Sequence, residues 1–244
     1  MGPHDVTFVD GVRIRYYGSP TDLMAKRLIW AQAIDEDVPA LRAHLRRGGL
    51  LVDVGAYSGL WTLYACAAMP DGTCIAIEPN PVSAANLVRN IALNGMTERV
   101  AVATCAVSDV EGSATLRIPA DNSRASITET EGQPITVNVR RLDDLLADRA
   151  DVAAVKIDVE GLEAEVIEGA TEVLRRCGLP PLFVEILDAA SFDRVRSAAA
   201  AVGYTRIRHL RDGQRVEVTE YAGWVNYLVT SDVEGGSGSA SIRG

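Results

Sequence analysis

The chain has 244 residues, 48% of them hydrophobic, and a mean hydropathy of +0.07. This is enough apolar material for one substantial core but barely enough for two, so we expect one domain with short extensions. No stretch approaches the roughly 18 apolar residues of a membrane span, and the N-terminus lacks a basic segment followed by an apolar one. We therefore expect a cytoplasmic protein without a membrane partner. The net charge of −9 repels phosphate backbones, which argues against nucleic acid as a partner.

The cysteines and histidines show no metal-binding or catalytic pattern. The cysteines are Cys66, Cys74, Cys105 and Cys177. None belongs to a CxxC pair or has a histidine at ligand spacing, which argues against a structural zinc site. Each lies in an apolar context, as is typical of buried cysteines in a reducing compartment. The three histidines are isolated in sequence, so a histidine-centred triad is not expected.

The first half of the chain alternates strands with helices. Residues 6–17 alternate around Asp10-Gly11, which predicts a two-residue hairpin, and helices are predicted at about 21–34 and 37–47. Apolar runs at 50–54, 74–78 and 99–107 predict strands, separated by helices at about 59–68 and from Pro81 to about Asn94. Strands that are continuous apolar runs are covered on both faces, so we expect a parallel sheet.

The second half interrupts this alternation once. Residues 113–119 and 135–142 alternate like antiparallel strands, and the polar segment between them indicates an insertion at the rim of the sheet. Strands follow at 153–158, 182–187, 204–209 and 223–230, with helices at about 161–177 and 190–202. We predict three parts: an N-terminal hairpin with helices over 1–48, a core domain over 49–230, and a disordered Gly/Ser-rich tail over 231–244.

The loop after the first core strand has the context of a nucleotide-binding glycine loop. The segment VDVGAYSG begins in a strand and ends where a helix starts. Gly55 allows a sharp turn and a close backbone approach to a ligand, and Gly59 does the same at the helix start. Asp53 can accept hydrogen bonds from loop amides or from a ligand ammonium group. The GxGxxG spacing of dinucleotide sites is absent, which favours a ligand without a pyrophosphate; an ordinary strand-to-helix turn is the alternative.

The end of the second core strand adds an acidic residue. Glu78 lies 23 residues after Gly55, close to the roughly 20 residues at which an acid meets a ribose in doubly wound folds. Asn80 can reach an adenine edge or cap the helix that begins at Pro81. Together, the glycine loop and Glu78 predict an adenosine ligand.

These motifs resemble the class I S-adenosylmethionine-dependent methyltransferases, and within them the FkbM type. The resemblance runs from about Glu36 to Asp188 and includes VDVGAYSG, IAIEPNP, AVSD and VKIDVEGLEAEVIEGA. It implies an α/β fold with a doubly wound, mostly parallel seven-stranded sheet, and S-adenosylmethionine as methyl donor. Tyr57 stands where the family usually has Asn. The cofactor-binding residues expected from the motifs and the resemblance are Asp53, Gly55, Ala56, Tyr57, Ser58, Gly59, Glu78, Pro79, Asn80 and Ala106.

Acidic residues gather at the ends of the fourth and fifth core strands. Asp158 and Glu185 end strands that should be neighbours, so their carboxylates can meet one acceptor oxygen. We predict that Asp158, assisted by Glu185, takes the acceptor proton, either directly or by holding a divalent cation such as Mg²⁺. Glu160 and Lys156 complete the predicted catalytic group. A structural ion pair is the alternative for Lys156, and a favourable position at a helix N-terminus is the alternative for Glu160 and Glu163.

The polar loop at 121–128 is a candidate lid over the acceptor. Its residues Asn122, Ser123, Arg124 and Ser126 offer the hydrogen-bonding groups that a polyhydroxy substrate needs. A solvated hairpin loop is the alternative.

The preferred function is O-methylation of a small-molecule hydroxyl, above all on a sugar or glycoside. The candidate lid is polar, and only 5% of the residues are aromatic. The resemblance also allows a polyketide or macrolide hydroxyl. A nicotinamide-dependent oxidoreductase is a further alternative, against which the missing glycine and the lack of a proton-donating Tyr-Lys or His pair argue. A non-catalytic binding protein is another, against which the acid cluster argues. The acidic surface fits a monomer or a homodimer.

Overall fold

A computed structural model describes residues 3–18, 25, 28, 38–45, 48–119, 125–128, 131–211, 214–223 and 225–231. The strands within these ranges are β1 His4–Thr7, β2 Arg13–Tyr16, β3 Leu50–Val54, β4 Thr73–Ile77, β5 Val100–Ala103, β6 Ala106–Val107, β7 Gly112–Ile118, β8 Gln133–Arg140, β9 Val152–Ile157, β10 Leu182–Ile186, β11 Arg206–Arg211, β12 Gln214–Glu217 and β13 Val225–Thr230. The α-helices are α1 Leu60–Ala68, α2 Pro81–Leu93, α3 Leu142–Leu145, α4 Glu163–Glu168, α5 Thr171–Arg176 and α6 Ala189–Val202, and a 3-10 helix spans Val38–Ala43.

The core is a mixed sheet in the order β12-β11-β13-β10-β9-β3-β4-β5. Strands β5, β4, β3, β9 and β10 are parallel, and β13 runs antiparallel between β10 and β11. The predicted seven strands are all present, and β12 extends the sheet by pairing with β11 as the second arm of a hairpin. The order reverses at β3, where the chain moves from one half of the sheet to the other. Ligands of open α/β sheets bind at the carboxyl edge beside such a reversal.

Both faces of the sheet are covered, because its central strands are apolar on both sides. Every residue of β3 is buried, and its side chains alternate between two cores. Leu50, Val52 and Val54 pack with α3 to α6, whereas Leu51 packs with α1, α2 and the N-terminal hairpin. The fold is therefore the predicted doubly wound α/β architecture.

The rim insertion is a separate small sheet in the order β6-β8-β7. Strands β7 and β8 pair antiparallel along their whole length, as their alternating sequence predicts. The apolar run at 99–107, predicted as one strand, is divided: β5 pairs with β4 in the core sheet, while β6 pairs with β8. The insertion thus begins directly at the carboxyl edge of the core sheet.

Three other predicted elements differ from the structure. The connection between β1 and β2 is a longer turn over residues 9–11, closed by the Phe8 N–H bond to the Val12 carbonyl at 2.8 Å, because Gly11 adopts φ +84°. The helix predicted at 161–177 breaks at Gly169, where a Cβ would lie 2.2 Å from the Ser108 carbonyl oxygen. Instead of a helix over 37–47, a 3-10 helix ends at Ala43.

Several predictions fall on residues that the structure does not describe. They are the helix at about 21–34 except for residues 25 and 28, the lid residues Asn122, Ser123 and Arg124, and the tail from 232 onward. Within the described residues, no helix combines the length and apolar character needed to cross a membrane. The three-part division of the chain at residues 48 and 230 stays a prediction.

Candidate active site

The glycine loop follows β3 at the carboxyl edge of the sheet. Gly55 has φ +78°, and a Cβ on it would lie 1.7 Å from the backbone oxygen of Asp158. Only glycine therefore lets β3 and the segment after β9 approach this closely. The N–H groups of Gly55 and Ala56 donate to the Ile77 carbonyl at 2.9 and 3.0 Å, which ties the loop to β4.

Glu78 lies at the end of β4 with its carboxylate beneath the glycine loop. Its Oε2 accepts from the Tyr57 N–H and its Oε1 from the Asn80 N–H, both at 2.8 Å. Burial raises the pKa of Glu78 to about 7, and the negative charges of Asp158 and Asp53 add to this rise. The two backbone hydrogen bonds lower the pKa and so oppose the rise in part. A carboxylate has about four acceptor positions, so these two bonds leave lone pairs for a further donor.

Asp53 is a buried acid on β3, directly below the loop. Its Oδ2 accepts from the Thr62 hydroxyl at 2.6 Å, which connects β3 to α1. Burial raises the pKa of Asp53, although the Thr62 bond and the Lys156 charge partly oppose this. The sequence predicts that Asp53 accepts hydrogen bonds from loop amides or from a ligand. Its side-chain partner in the described residues is the Thr62 hydroxyl on α1 and not a loop amide.

Asp158, Glu185 and Lys156 form the charged centre of the site. Lys156 Nζ lies 3.3 Å from Asp158 Oδ2 and is 2% exposed. The Asp158 and Glu185 side chains are hydrogen-bonded to each other. Burial, the Asp158 charge and this bond raise the pKa of Glu185 to about 8, while Lys156 opposes the rise. Burial alone would lower the pKa of Lys156, but the three neighbouring carboxylates outweigh it and raise that pKa.

The turn after Asp158 carries the other predicted acids. Glu160 has φ +55°, an uncommon conformation for a residue other than glycine, and Gly161 follows with φ +109°. Glu163 is buried and accepts from the Gly161 N–H at 2.9 Å, so its carboxylate fixes this turn. Glu163 therefore has a structural role at the start of α4, whereas Glu160 lines the cavity.

The rim insertion reaches the same turn. The hydroxyls of Ser126 and Thr128 both donate to the Glu160 carbonyl, at 3.0 and 3.2 Å. Backbone bonds in both directions also join Ser126 to Arg117 on β7. The segment 125–128 therefore closes one side of the cavity.

These elements enclose one cavity of about 220 Å³. The predicted site residues that line it are Asp53, Gly55, Ala56, Tyr57, Glu78, Pro79, Ala106, Ser126, Lys156, Asp158, Glu160 and Glu185. Three predicted cofactor residues do not line it. Ser58 is buried against Tyr16, Gly59 lies at the start of α1 against Leu87, and Asn80 caps α2 by accepting from the Val82 N–H at 3.0 Å. Asn80 thus adopts the capping alternative.

The predicted divalent cation does not fit these residues. The Lys156 ammonium group already lies 3.3 Å from Asp158 Oδ2, so a cation bound to this carboxylate would meet a positive charge. In the part of the chain that the structure describes, no group of three or more His, Cys, Asp and Glu side chains is placed to hold a metal ion. The metal role predicted for Asp158 and Glu185 is therefore not supported.

Trp61 and Asn226 are among the cavity-lining residues that sequence reasoning missed. Trp61 on α1 lies with its ring 5.3 Å from Lys156 Nζ and 5.7 Å from the Phe183 ring. Asn226 on β13 pairs directly with Glu185 on β10. The sequence signal that could have revealed Asn226 is its position as a polar residue near the start of an apolar strand. Because β13 is antiparallel to β10, its first residues lie at the carboxyl edge of the parallel strands. Trp61 carries no such signal in an apolar helix.

Solved structures of methyltransferases share this fold. A SAM-dependent O-methyltransferase from Thermotoga maritima superposes with a TM-score of 0.52 at 14% identity, over 93% of this chain and 77% of that one. A TehB-like SAM-dependent methyltransferase from Corynebacterium glutamicum gives 0.52 at 10% identity, over 85% and 94%. The fold is that of the Rossmann-like methyltransferases.

Sequence comparison identifies the family. The model of the methyltransferase FkbM domain matches residues 53–209, and the chain belongs to this family. Methyltransferase sdnD of Sordaria araneosa is 27% identical over 64% of this chain and 78% of its own. The 31-O-demethyl-FK506 methyltransferase FkbM of Streptomyces tacrolimicus is 32% identical over 52% of this chain and 62% of its own. The protein is thus a methyltransferase, for which the family implies S-adenosylmethionine as donor; a nicotinamide-dependent oxidoreductase is disfavoured.

Proposed function

We propose that this protein transfers the methyl group of S-adenosylmethionine to a hydroxyl oxygen of a small molecule, and that the acceptor is a sugar or glycoside. The observation that carries the proposal is the Asp158–Glu185 pair, which lines the same cavity as the glycine loop and Glu78. One cavity therefore offers a group that can accept a proton beside groups suited to an adenosine.

The donor half of the cavity is the part around the glycine loop. Glu78 retains acceptor positions for the two ribose hydroxyls, as described above. Ala106, at the start of β6, and Pro79 supply apolar surface on the adenine side. The acids Asp53, Asp158 and Glu185 favour a cationic sulfonium over the neutral thioether that remains after transfer.

The acid pair acts on the acceptor proton. Methyl transfer breaks the bond between methyl carbon and sulfur, forms the bond between that carbon and the acceptor oxygen, and leaves the hydroxyl proton to be removed. We assign this proton to the carboxylates of Asp158 and Glu185, in line with a base whose pKa lies near the working pH. Lys156 holds Asp158 in place at 3.3 Å and balances its charge.

The acceptor half carries polar and acidic side chains beside the apolar side chains of Leu116 and Ile127. Ser126, Glu160, Glu185 and Asn226 line it, so it offers hydrogen bonds to a polyhydroxy compound and repels an anionic one. One relative is named for a 31-O-demethyl compound, which supports oxygen as the atom methylated. The same name supports a second candidate acceptor, the polyketide or macrolide hydroxyl.

The test is methyl transfer from labelled S-adenosylmethionine to a panel of sugars, glycosides and polyketide alcohols, with and without EDTA. We expect label in a sugar or glycoside ether, with the same rate under chelation. The Asp158→Asn variant should lose about 10²–10⁴-fold in turnover, since positioned proton transfer contributes that much. Its affinity for S-adenosylhomocysteine, which lacks the sulfonium charge, should stay unchanged.

Asp151→Asn is the matched control. Asp151 directly precedes β9, whereas Asp158 directly follows it, so the two acids lie at opposite edges of the sheet. Asp151 is also paired with a cation, Arg149, at 2.8 Å. It should retain full turnover. Full activity in both Asp158→Asn and Glu185→Gln would refute the acid pair, and loss of activity in EDTA with recovery in magnesium would refute the metal-free mechanism.

A further inference from the structure

The N-terminal hairpin reaches the donor loop from outside the family-matched region. Strands β1 and β2 end at Tyr16, whereas the FkbM domain match begins at residue 53. The Tyr16 hydroxyl lies 2.5 Å from Ser58 Oγ, and both residues are fully buried. Ser58 lies between Tyr57 and Gly59 in the glycine loop. A side chain of the hairpin therefore contacts the loop on the side away from the cavity.

A second buried residue joins the same three segments. The Asn90 amide on α2 donates to the carbonyls of Ser58 and Tyr17, each at 3.0 Å, and its oxygen accepts from the Tyr17 N–H at 2.7 Å. Asn90 is also fully buried. Hydrogen bonds therefore link the hairpin, α2 and the glycine loop to one another. Because these groups are buried, losing one bond leaves a polar atom without water or another partner, which destabilises the folded state.

The loop needs such support because its backbone is in an uncommon conformation. Tyr57 has φ +50° and Gly59 φ +97°, on either side of Ser58. In this conformation the Tyr57 N–H points to Glu78 Oε2 at 2.8 Å. Fixing Ser58 from behind therefore also fixes the backbone that shapes the donor half of the cavity.

We propose that Tyr16 is a positioning residue for the methyl donor and that it acts through Ser58. The inference rests on the proposed function, since it takes the glycine loop as the donor site. Tyr16 touches no donor atom; its hydroxyl holds the loop in the conformation that accepts the adenosine.

The test measures the affinity of S-adenosylhomocysteine by calorimetry for wild type, Tyr16→Phe, Ser58→Ala and the double variant. Each single variant should bind roughly three- to tenfold more weakly, the effect of one buried hydrogen bond. The double variant should bind no more weakly than the weaker single variant, because both changes remove the same bond.

Tyr64→Phe is the matched control. The Tyr64 hydroxyl donates to Asp10 at 2.6 Å and so holds the same hairpin onto α1 through a bond that does not involve the loop. This variant should lose stability, as Tyr16→Phe does, but keep wild-type affinity. Equal affinity in Tyr16→Phe and wild type, or equal weakening in Tyr64→Phe, would overturn the role of Tyr16. Absence of binding to wild type would instead overturn the donor site itself.

Discussion

At the scale of single residues, Glu78 and Glu185 are the two acids whose pKa burial raises most clearly into the neutral range. Glu78 has a pKa of about 7 and Glu185 of about 8. Glu78 is held by two backbone N–H groups, whereas Glu185 bonds to another carboxylate. The first arrangement suits a fixed acceptor of hydrogen bonds, and the second suits a group that exchanges a proton.

Donor binding should therefore depend on the ionisation of Glu78. Affinity for S-adenosylhomocysteine should rise by up to about tenfold per pH unit as the pH approaches 7 from below, since the ionised carboxylate accepts better from ribose. Glu78→Ala should cost about 1.5–3 kcal/mol of binding free energy at pH 8. Calorimetry across pH measures both effects.

The same pKa predicts an opposite trend in stability. Because the pKa rises from 4.5 to about 7 on folding, the folded state holds a proton that the unfolded state releases, so the free energy of unfolding falls between these values. The Glu78→Gln variant should show a smaller fall, because the raised pKa values of Glu185 and Asp53 still contribute to it, and its donor affinity should depend less on pH in this window. A pH-independent wild type would contradict the assignment.

The acid pair should set the pH profile of methyl transfer. The base must be ionised, so single-turnover rates should rise with pH and level off above about 8, the value for Glu185. Lys156→Met removes the positive charge that lowers this pKa, and should move the midpoint upward. Asp158→Asn removes the negative charge that raises it, and should move the midpoint of the residual activity downward. Unshifted midpoints in both variants would exclude the pair as the titrating group.

The sequence predicts those site residues that end strands. Asp53, Glu78, Asp158 and Glu185 each stand out as an acid at or near the end of an apolar run, and all four line one cavity. Sequence spacing cannot predict Tyr16, because its contact with Ser58 spans 42 residues and depends on how the hairpin packs. The role of Asn80 is decided by the helix start, since its side chain satisfies the Val82 N–H.

At the scale of elements, the approach of two strand ends fixes the site. The loop after β3 and the segment after β9 meet at Gly55, where no side chain fits. Gly55→Ala should destabilise the protein by more than about 2 kcal/mol, because it adds a steric conflict to the unfavourable φ of +78°. Urea denaturation measures this difference.

Gly95→Ala separates the two causes. Gly95 has φ +67° but open space around its Cα, so the variant should cost only about 1 kcal/mol, that of the backbone conformation. Equal losses in the two variants would show that Gly55 is required for its φ alone and not for the approach of Asp158.

Element types follow from the sequence better than element continuity does. The periodicity of 161–177 is helical throughout, yet the helix is interrupted at Gly169, whose backbone lies close against the Ser108 carbonyl. The run at 99–107 is apolar throughout, yet its two halves pair with different strands. Each interruption depends on a contact with a segment distant in sequence, and a local sequence pattern holds no information on such a contact.

At the scale of the whole molecule, charge and architecture limit the partners. The net charge of −9 opposes binding to a polyanion, and the cavity itself is lined with acids. Fluorescence anisotropy with labelled RNA should therefore show no saturable binding up to about 100 µM protein at 0.1 M salt, weaker than typical non-specific binders. Saturable binding that weakens steeply with salt would contradict this expectation.

The rim insertion has a core of its own. Ala106, Leu116, Val137 and Val139 pack together apart from the two cores of the main sheet. Its residues Ala125, Ser126 and Ile127 nevertheless line the cavity. On the proposed assignment of the cavity, substitutions in 125–128 should change which acceptors fit while leaving the donor half and the main sheet intact. Acceptor range and methyl-donor chemistry would then be separable traits, and a lineage could explore the first without risking the second.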